Sequence, residues 1–320
     1  MANIVLTTTC NRACPYCFAG RTMAQFGDEQ MAFLEVVRIV DLIAASGRNH
    51  VSLLGGEPTL HRRFLEILEY VLERRMEVTV FTNALASKAT IEGIARLKQL
   101  QRVKFVVNVN APEIDDHMAR QEAFMRALPG RCDVSHNICL YDRSFGFLVD
   151  MIERTGLKDC RIRVSLAQPI AEKENAFIAP EHYAGVAKHL VELAEAVMPR
   201  GIKVNLDCGW PLCIFSDEQL GKLRRVGADL KFVCQTAVDF APGGVVWTCY
   251  PLMSVSRRTW SWETPFDALA DGFMEENRKL RAKSERGAGV FDACAGCVYL
   301  AQGHCAGGCL AHLVKDAPRA

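Results

Sequence analysis

Cys10, Cys14 and Cys17 stand at C-x3-C-x2-C spacing just after a short apolar run near the N-terminus. Thiolates are soft ligands that suit zinc or an iron–sulfur cubane, and either centre takes four ligands. This loop offers three. Three thiolates on a four-iron cluster leave one iron with an open coordination position. Open positions are where bound metals do chemistry, as catalytic zinc sites show. The spacing therefore points to a reactive cluster whose remaining shell and substrate come from the rest of the chain.

The elements that must hold this loop follow from periodicity. Strands are expected over 3–9, 50–54, 77–82, 103–109, 133–140 and 161–168, with helical patterns over 28–46, 58–75, 87–99, 115–128 and 143–155 between them. Asp28 and Ser87 suit helix N-caps, and Gly47 and Gly156 sit where C-terminal caps belong. Strands alternating with helices and no hairpin imply a parallel sheet with right-handed crossovers. Six units are too few for a closed eight-stranded barrel, so the expected fold class is α/β, an open partial (β/α)6 barrel of TIM type. In parallel barrels chemistry sits at the C-terminal ends of the strands, and the cysteine loop begins where the first strand ends.

The other strand ends carry their own signals. Gly55-Gly56-Glu57-Pro58 follows the second strand; its glycines let backbone approach a ligand, and Pro58 can open the next helix. Thr82 and Asn83 close the third strand, and Asn108 and Asn110 the fourth. On the sixth, Arg161, Arg163 and Ser165 share one face and Ile162, Val164 and Leu166 the other. With the apolar face on the helices, Arg163 and Ser165 point into the lumen. Cys132, Cys139 and Cys160 have no ligand spacing and read as small buried hydrophobes.

The cysteine triplet, with Tyr16 before its third member and Gly-Gly-Glu-Pro after strand two, resembles the radical S-adenosylmethionine (SAM) enzymes over residues 3 to 168. That resemblance implies a [4Fe-4S] cluster on Cys10, Cys14 and Cys17, with SAM chelating the fourth iron. It further implies that Gly55, Gly56, Glu57 and Pro58 meet the methionyl amino group. The cluster's electron then cleaves SAM to methionine and a 5′-deoxyadenosyl radical that abstracts a substrate hydrogen. Tyr16, Thr82, Asn83, Asn108, Asn110, Arg163 and Ser165 are candidates for further SAM or substrate contacts.

A helix is expected over 180–198 and a short strand over 203–207, after which cysteines return. Cys234-x9-Gly244-x4-Cys249 is followed by Cys294-x2-Cys297-x7-Cys305-x3-Cys309. This looks like the SPASM extension of radical SAM enzymes, with two departures. The Cys297–Cys305 gap is seven residues where the pattern has five, and no cysteine follows Cys309. Cys208 and Cys213 lie upstream, bringing the total to eight thiols, enough for two four-ligand clusters. By resemblance, Cys213 or Cys208 joins Cys234, Cys249 and Cys309 on a first auxiliary [4Fe-4S] cluster. Cys294, Cys297 and Cys305 hold a second, its fourth ligand open. A single auxiliary cluster, or zinc on the last four cysteines, are the competing readings. Tyr250, beside Cys249, is a candidate for relaying a proton or an electron. The expected organisation is a core over 1–200 and a small cysteine-rich, cluster-binding domain over 201–320.

A net charge of +1 over 320 residues gives no electrostatic case for nucleic acid or an anionic membrane surface. Fourteen cysteines without a secretion signal favour metal sites over disulfides and a cytoplasmic setting. No apolar run reaches transmembrane length; 33–45 is broken by Glu35, Arg38 and Asp41. By the resemblance, the leading function is radical modification of a ribosomally made peptide or a protein side chain, by crosslinking, oxidation or epimerisation. A small-molecule substrate such as an amino sugar or cofactor precursor, or a non-catalytic iron–sulfur or zinc protein, are the alternatives. An electron donor such as flavodoxin or ferredoxin is the implied partner.

Overall fold

The computed structural model describes residues 1–20, 29–170, 175–282 and 289–314. Seven parallel strands follow in chain order: β1 (Ala2–Val5), β2 (His50–Leu54), β3 (Glu77–Thr82), β4 (Val103–Asn108), β5 (Cys132–Ile138), β6 (Arg161–Leu166) and β7 (Lys203–Leu206). Helices α1 (Phe33–Ala45), α2 (Phe64–Glu73), α3 (Lys88–Ala95), α4 (Met118–Ala127), α5 (Gly146–Thr155) and α6 (Tyr183–Val197) form the crossovers. The sheet continues on the other side of β1. There β8 (Val238–Ala241) pairs parallel with it, and β9 (Val245–Trp247) and β10 (Arg258–Thr259) run antiparallel beyond. Residues beyond 200 therefore flank the barrel at both edges, with α7 (Asp217–Arg225) and α8 (Phe266–Ala282) beside them.

Register decides which side chains face in. Val80 pairs with Phe105, Phe105 with Cys132, and Val134 with Ile162, and all five are buried in the core under the helices. α2 meets them with Phe64, Ile67, Leu68, Val71 and Leu72, one stripe at helical spacing. The alternate residues turn the other way: Thr79 pairs with Lys104, Asn108 with Ser135, Ser135 with Arg163, and Asn137 with Ser165. The sheet curls strongly round this polar face. The Arg163 guanidinium on β6 lies 5.0 Å from the Phe81 ring centroid on β3, with two strands between them in the sheet order. The open (β/α)6 barrel expected from periodicity is the observed fold, extended at both edges.

Element starts differ where side chains have other partners. The first strand stops at Val5, and Thr8 N–H and Met31 N–H bond Glu29 and Leu6 carbonyls, so 29–31 runs back along the chain and α1 starts only at Phe33. Asp28, the expected cap, lies outside the described residues. The pattern over 58–75 divides into a 3₁₀ turn, Pro58–Leu60, and α2. The one over 115–128 starts at Met118, because Asp115 is committed to Arg12 and Asn110. Ser87 caps α3 as expected, accepting from Thr90 N–H at 3.1 Å, and Gly156 ends α5 at φ +65°. No described helix is long and apolar enough to cross a membrane.

Candidate metal centre

The cysteine loop and the glycine turn are built as one unit. Gly56 N–H bonds the Thr7 carbonyl at 2.7 Å and Glu57 N–H the Thr9 carbonyl at 2.8 Å, so the end of β2 carries the stretch leading into Cys10. Gly55 sits at φ +147°, and a Cβ there would lie 2.4 Å from the Thr7 carbonyl oxygen. Only glycine allows that approach. Within the loop, Cys17 N–H bonds the Cys14 carbonyl at 3.0 Å, turning the chain between the second and third thiols. Cys10 is exposed, and Cys14 and Cys17 are half-buried.

The Glu57 side chain is turned into the protein. It is fully buried, and Oε1 accepts from Thr59 N–H at 3.1 Å, Thr59 Oγ1 at 2.6 Å and Thr82 Oγ1 at 2.7 Å; Oε2 accepts from Asn83 N–H at 2.7 Å. Burial raises its pKa, and these four donors oppose the rise. Glu57 and Thr82 together tie the turn to the end of β3. Asn83 then reaches the cysteine loop: its Nδ2 donates to Asn11 Oδ1 at 2.8 Å and points at Cys10 Sγ at 3.8 Å.

A second network approaches from β4. Asn110 Nδ2 donates to Asp115 Oδ2 at 2.6 Å and to Cys14 Sγ at 3.4 Å, while its Oδ1 accepts from the Tyr16 hydroxyl. Asn108 Nδ2 donates to that same hydroxyl at 2.8 Å. Burial first, then the neighbouring Cys14, pushes the Tyr16 phenol up, so it stays a neutral donor. Arg12, inside the cysteine loop, bonds Asp115 Oδ2 through Nε at 2.8 Å and the Asn108 carbonyl at 2.7 Å. From Asn108 the chain of bonds runs on through Asn137, at 2.9 Å, to Ser165. Arg163 pairs with Asp207 at 2.8 Å.

These residues fit a three-thiol cluster site. Three sulfurs leave one loop, and amide donors from two strand ends are placed at two of them. Hydrogen bonds to ligand sulfurs are a recurrent means of orienting and tuning such centres. Although Cys10 is exposed as a residue, partial desolvation of its thiol pushes it up to about 11, and burial raises Cys17, so binding iron there releases protons.

Residues 4–129 match the family model of the radical SAM superfamily. Over that stretch the chain carries a radical SAM domain. The chain is 37% identical over 90 residues to a GTP 3′,8-cyclase of Mannheimia succiniciproducens, covering 27% of each chain. It is 34% identical over 83 residues to an S-adenosylmethionine-dependent nucleotide dehydratase of Selenomonas ruminantium, 25% of this chain and 28% of that one. The chain thus spans about a quarter of the curated relatives it matches. Among solved structures, Streptococcus suis SuiB bound to S-adenosylmethionine has the same fold, with a TM-score of 0.67 over 98% of this chain and 74% of that one, at 18% identity. SuiB has also been solved bound to its precursor peptide SuiA.

Beyond the matched stretch the later cysteines border the same barrel. Cys208 follows β7 and is exposed as a residue, yet desolvation of its thiol raises it, followed by Asp207, Cys234 and Cys309. Cys249 feels burial and then Cys309, Cys234, Asp239 and Cys208, and it packs on the Leu252, Leu310 and Val314 cluster. Cys294 and Cys305 are buried and Cys297 half-buried; Gly307 N–H bonds Cys305 Sγ at 3.3 Å. Among the described residues no three His, Cys, Asp or Glu side chains close to the spacing of a single bound metal ion. A cubane instead takes each thiolate on a different iron. The Tyr250 hydroxyl is buried without a hydrogen-bond partner among the described residues, with Asp239 and Cys17 as its titratable neighbours.

Arg12, Asp115, Gln121 and Asn137 were not singled out by sequence. Gln121 Nε2 bonds both the Asn83 and Asn108 carbonyls, at 2.9 and 2.8 Å, fastening the two strand ends that serve Cys10 and Cys14. Asn137 had a signal: Asp133, Ser135 and Asn137 alternate along β5, in phase with Arg163 and Ser165. Arg12, Asp115 and Gln121 had none, since apart from local bonds such as Asn110–Asp115 their partners lie 13 to 103 residues away.

Proposed function

We propose that this chain reductively cleaves SAM and uses the resulting radical to modify a ribosomally made peptide or a protein side chain. The observation that carries the cleavage step is the Cys10–Cys14–Cys17 loop seated on the Gly55-Gly56 turn, with Asn83 and Asn110 amides at two of its sulfurs. The chemistry supplied when cluster and SAM are bound is one-electron cleavage of the sulfonium to methionine and a 5′-deoxyadenosyl radical, which takes a substrate hydrogen. The chain's own residues position these groups. Glu57, Thr82 and Gln121 fix the strand ends, the Gly-Gly-Glu-Pro turn offers backbone rather than its carboxylate, and Tyr16, Asn108 and Asn110 hold the loop's far side. Ser165 and Arg163 on the polar inner face are offered to SAM or substrate. We keep the functional division into a radical core over 1–200 and a SPASM-like region over 201–320 that binds auxiliary [4Fe-4S] clusters, with Tyr250 between them. A flavodoxin or ferredoxin is the electron donor that such a cluster requires.

The peptide reading draws support from the SuiB fold, shared over 98% of this chain, and from SuiB's complex with a precursor peptide. A second reading, a small-molecule substrate such as a nucleotide, draws support from the cyclase and the nucleotide dehydratase, which carry higher identity over a shorter stretch. Anaerobically reconstituted protein given SAM and dithionite should form 5′-deoxyadenosine, and Cys14→Ala should abolish it. No 5′-deoxyadenosine from wild type would sink the catalytic reading and leave a non-catalytic metal protein. Deuterium transfer into 5′-deoxyadenosine from a labelled peptide, as against a labelled nucleotide, separates the two substrate classes.

A further inference from the structure

We infer that Cys213 completes a second four-thiol set with Cys294, Cys297 and Cys305, and that Cys208 belongs to the other set, with Cys234, Cys249 and Cys309. This rests on the reading that residues 201–320 bind iron–sulfur clusters, and it settles which upstream cysteine serves which. The two candidates are only five residues apart, yet the intervening chain sends them to different places.

Cys208 is pinned to the end of the barrel: its carbonyl accepts from Leu166 N–H at 3.3 Å, and Asp207 N–H bonds the Val164 carbonyl at 2.9 Å. Gly209 then turns the chain at φ +89°, where a Cβ would fall on the Gln168 amide. Trp210 follows, buried in the core with Nε1 donating to the Val164 carbonyl at 2.9 Å. Beyond that anchor, Cys213 lies in a 3₁₀ turn, Leu212–Ile214, held by the burial of Ile214 and Phe215. In that turn Leu212 N–H donates to Cys305 Sγ at 3.5 Å, so the residue beside Cys213 touches a thiol of the later group. The thiols near enough to act on Cys213 through space are Cys294, Cys305 and Cys297, whereas those near Cys208 are Cys234 and Cys309. Each set then has four members. Cys213, delivered from upstream, supplies the fourth thiol of the second set.

The test uses the full chain, reconstituted anaerobically with iron and sulfide, in a background with Cys294→Ala, Cys297→Ala and Cys305→Ala. Adding Cys213→Ala should leave iron and acid-labile sulfide unchanged, whereas adding Cys208→Ala should remove about four more irons per chain. The reverse pattern overturns the assignment. Because multiple variants can misfold, single Cys213→Ser and Cys208→Ser chains are compared by electron paramagnetic resonance. Cys213→Ser should alter the reduced signal that the triple variant lacks and spare the other; an altered signal that the triple variant retains refutes the inference. If wild type itself holds only about four irons, the cluster reading of residues 201–320 fails, a result distinct from a swapped assignment.

Discussion

Glu57→Gln separates a structural carboxylate from a ligand-binding one. The change is nearly isosteric, but an amide nitrogen must replace one oxygen. Placed at Oε1 it would face three donors; placed at Oε2 it faces only Asn83 N–H, so the second orientation wins. That leaves one buried backbone N–H unbonded, at a cost of about 1–3 kcal/mol. The three bonds at the remaining oxygen lose their charge assistance. Against this, the desolvation that raises the Glu57 pKa no longer penalises a charge there. The net expectation is about 2 kcal/mol of destabilisation. With unfolding entropy of about 2.1 cal/mol/K per residue over 320 residues, Tm should fall by about 3 °C. Scanning calorimetry under anaerobic conditions reads the shift, and isothermal titration reads SAM affinity. An unchanged Tm together with a tenfold or greater loss of SAM affinity would refute the argument, because the carboxylate would then serve the ligand and not the turn.

Gly55→Ala places a Cβ 2.4 Å from the Thr7 carbonyl at φ +147°, so soluble yield and iron on the N-terminal loop should both drop sharply; wild-type iron content in a normally folded variant would contradict this. Tyr16→Phe removes the buried hydroxyl between Asn108 and Asn110 and should cost about 1–3 kcal/mol in thermal or denaturant unfolding, with no change counting against the network. His136 is buried, shares its Nδ1–H with the Val109 carbonyl, and burial lowers its pKa to about 4. The unfolded chain, with an ordinary His near 6.5, takes up the proton first, so this contribution is complete above about 6.5 and is lost as pH falls towards 4. Its full size is about 3 kcal/mol. Asp239, raised to about 6 by burial, slopes the other way over the same range, so the quantity to measure is the wild-type stability minus that of His136→Gln. That difference should shrink between pH 6.5 and 4.5; parallel curves would rule the account out.

Local chemistry and period were legible without coordinates. The C-x3-C-x2-C loop, the glycine turn, the alternation on β6 and the helical stripes each depend on neighbours within a few residues, and each stands where the sequence placed it. β5 could have been read further, since its polar alternation already marked Asn137. What only the tertiary structure decided is the set of partners across long separations. Glu57 stands in the glycine turn that by resemblance meets SAM, and closure of β2 against β3 brings Thr82 and Asn83 to its carboxylate. Arg12 and Asp115 are unremarkable residues until a parallel sheet sets the first and fourth strand ends near one another. Cys208 and Cys213 are equivalent by spacing and are separated by a glycine turn and a buried tryptophan between them. Spacing along a chain determines which ligand types are available. Only the curl of the sheet, which sets Arg163 against Phe81, determines which of them meet.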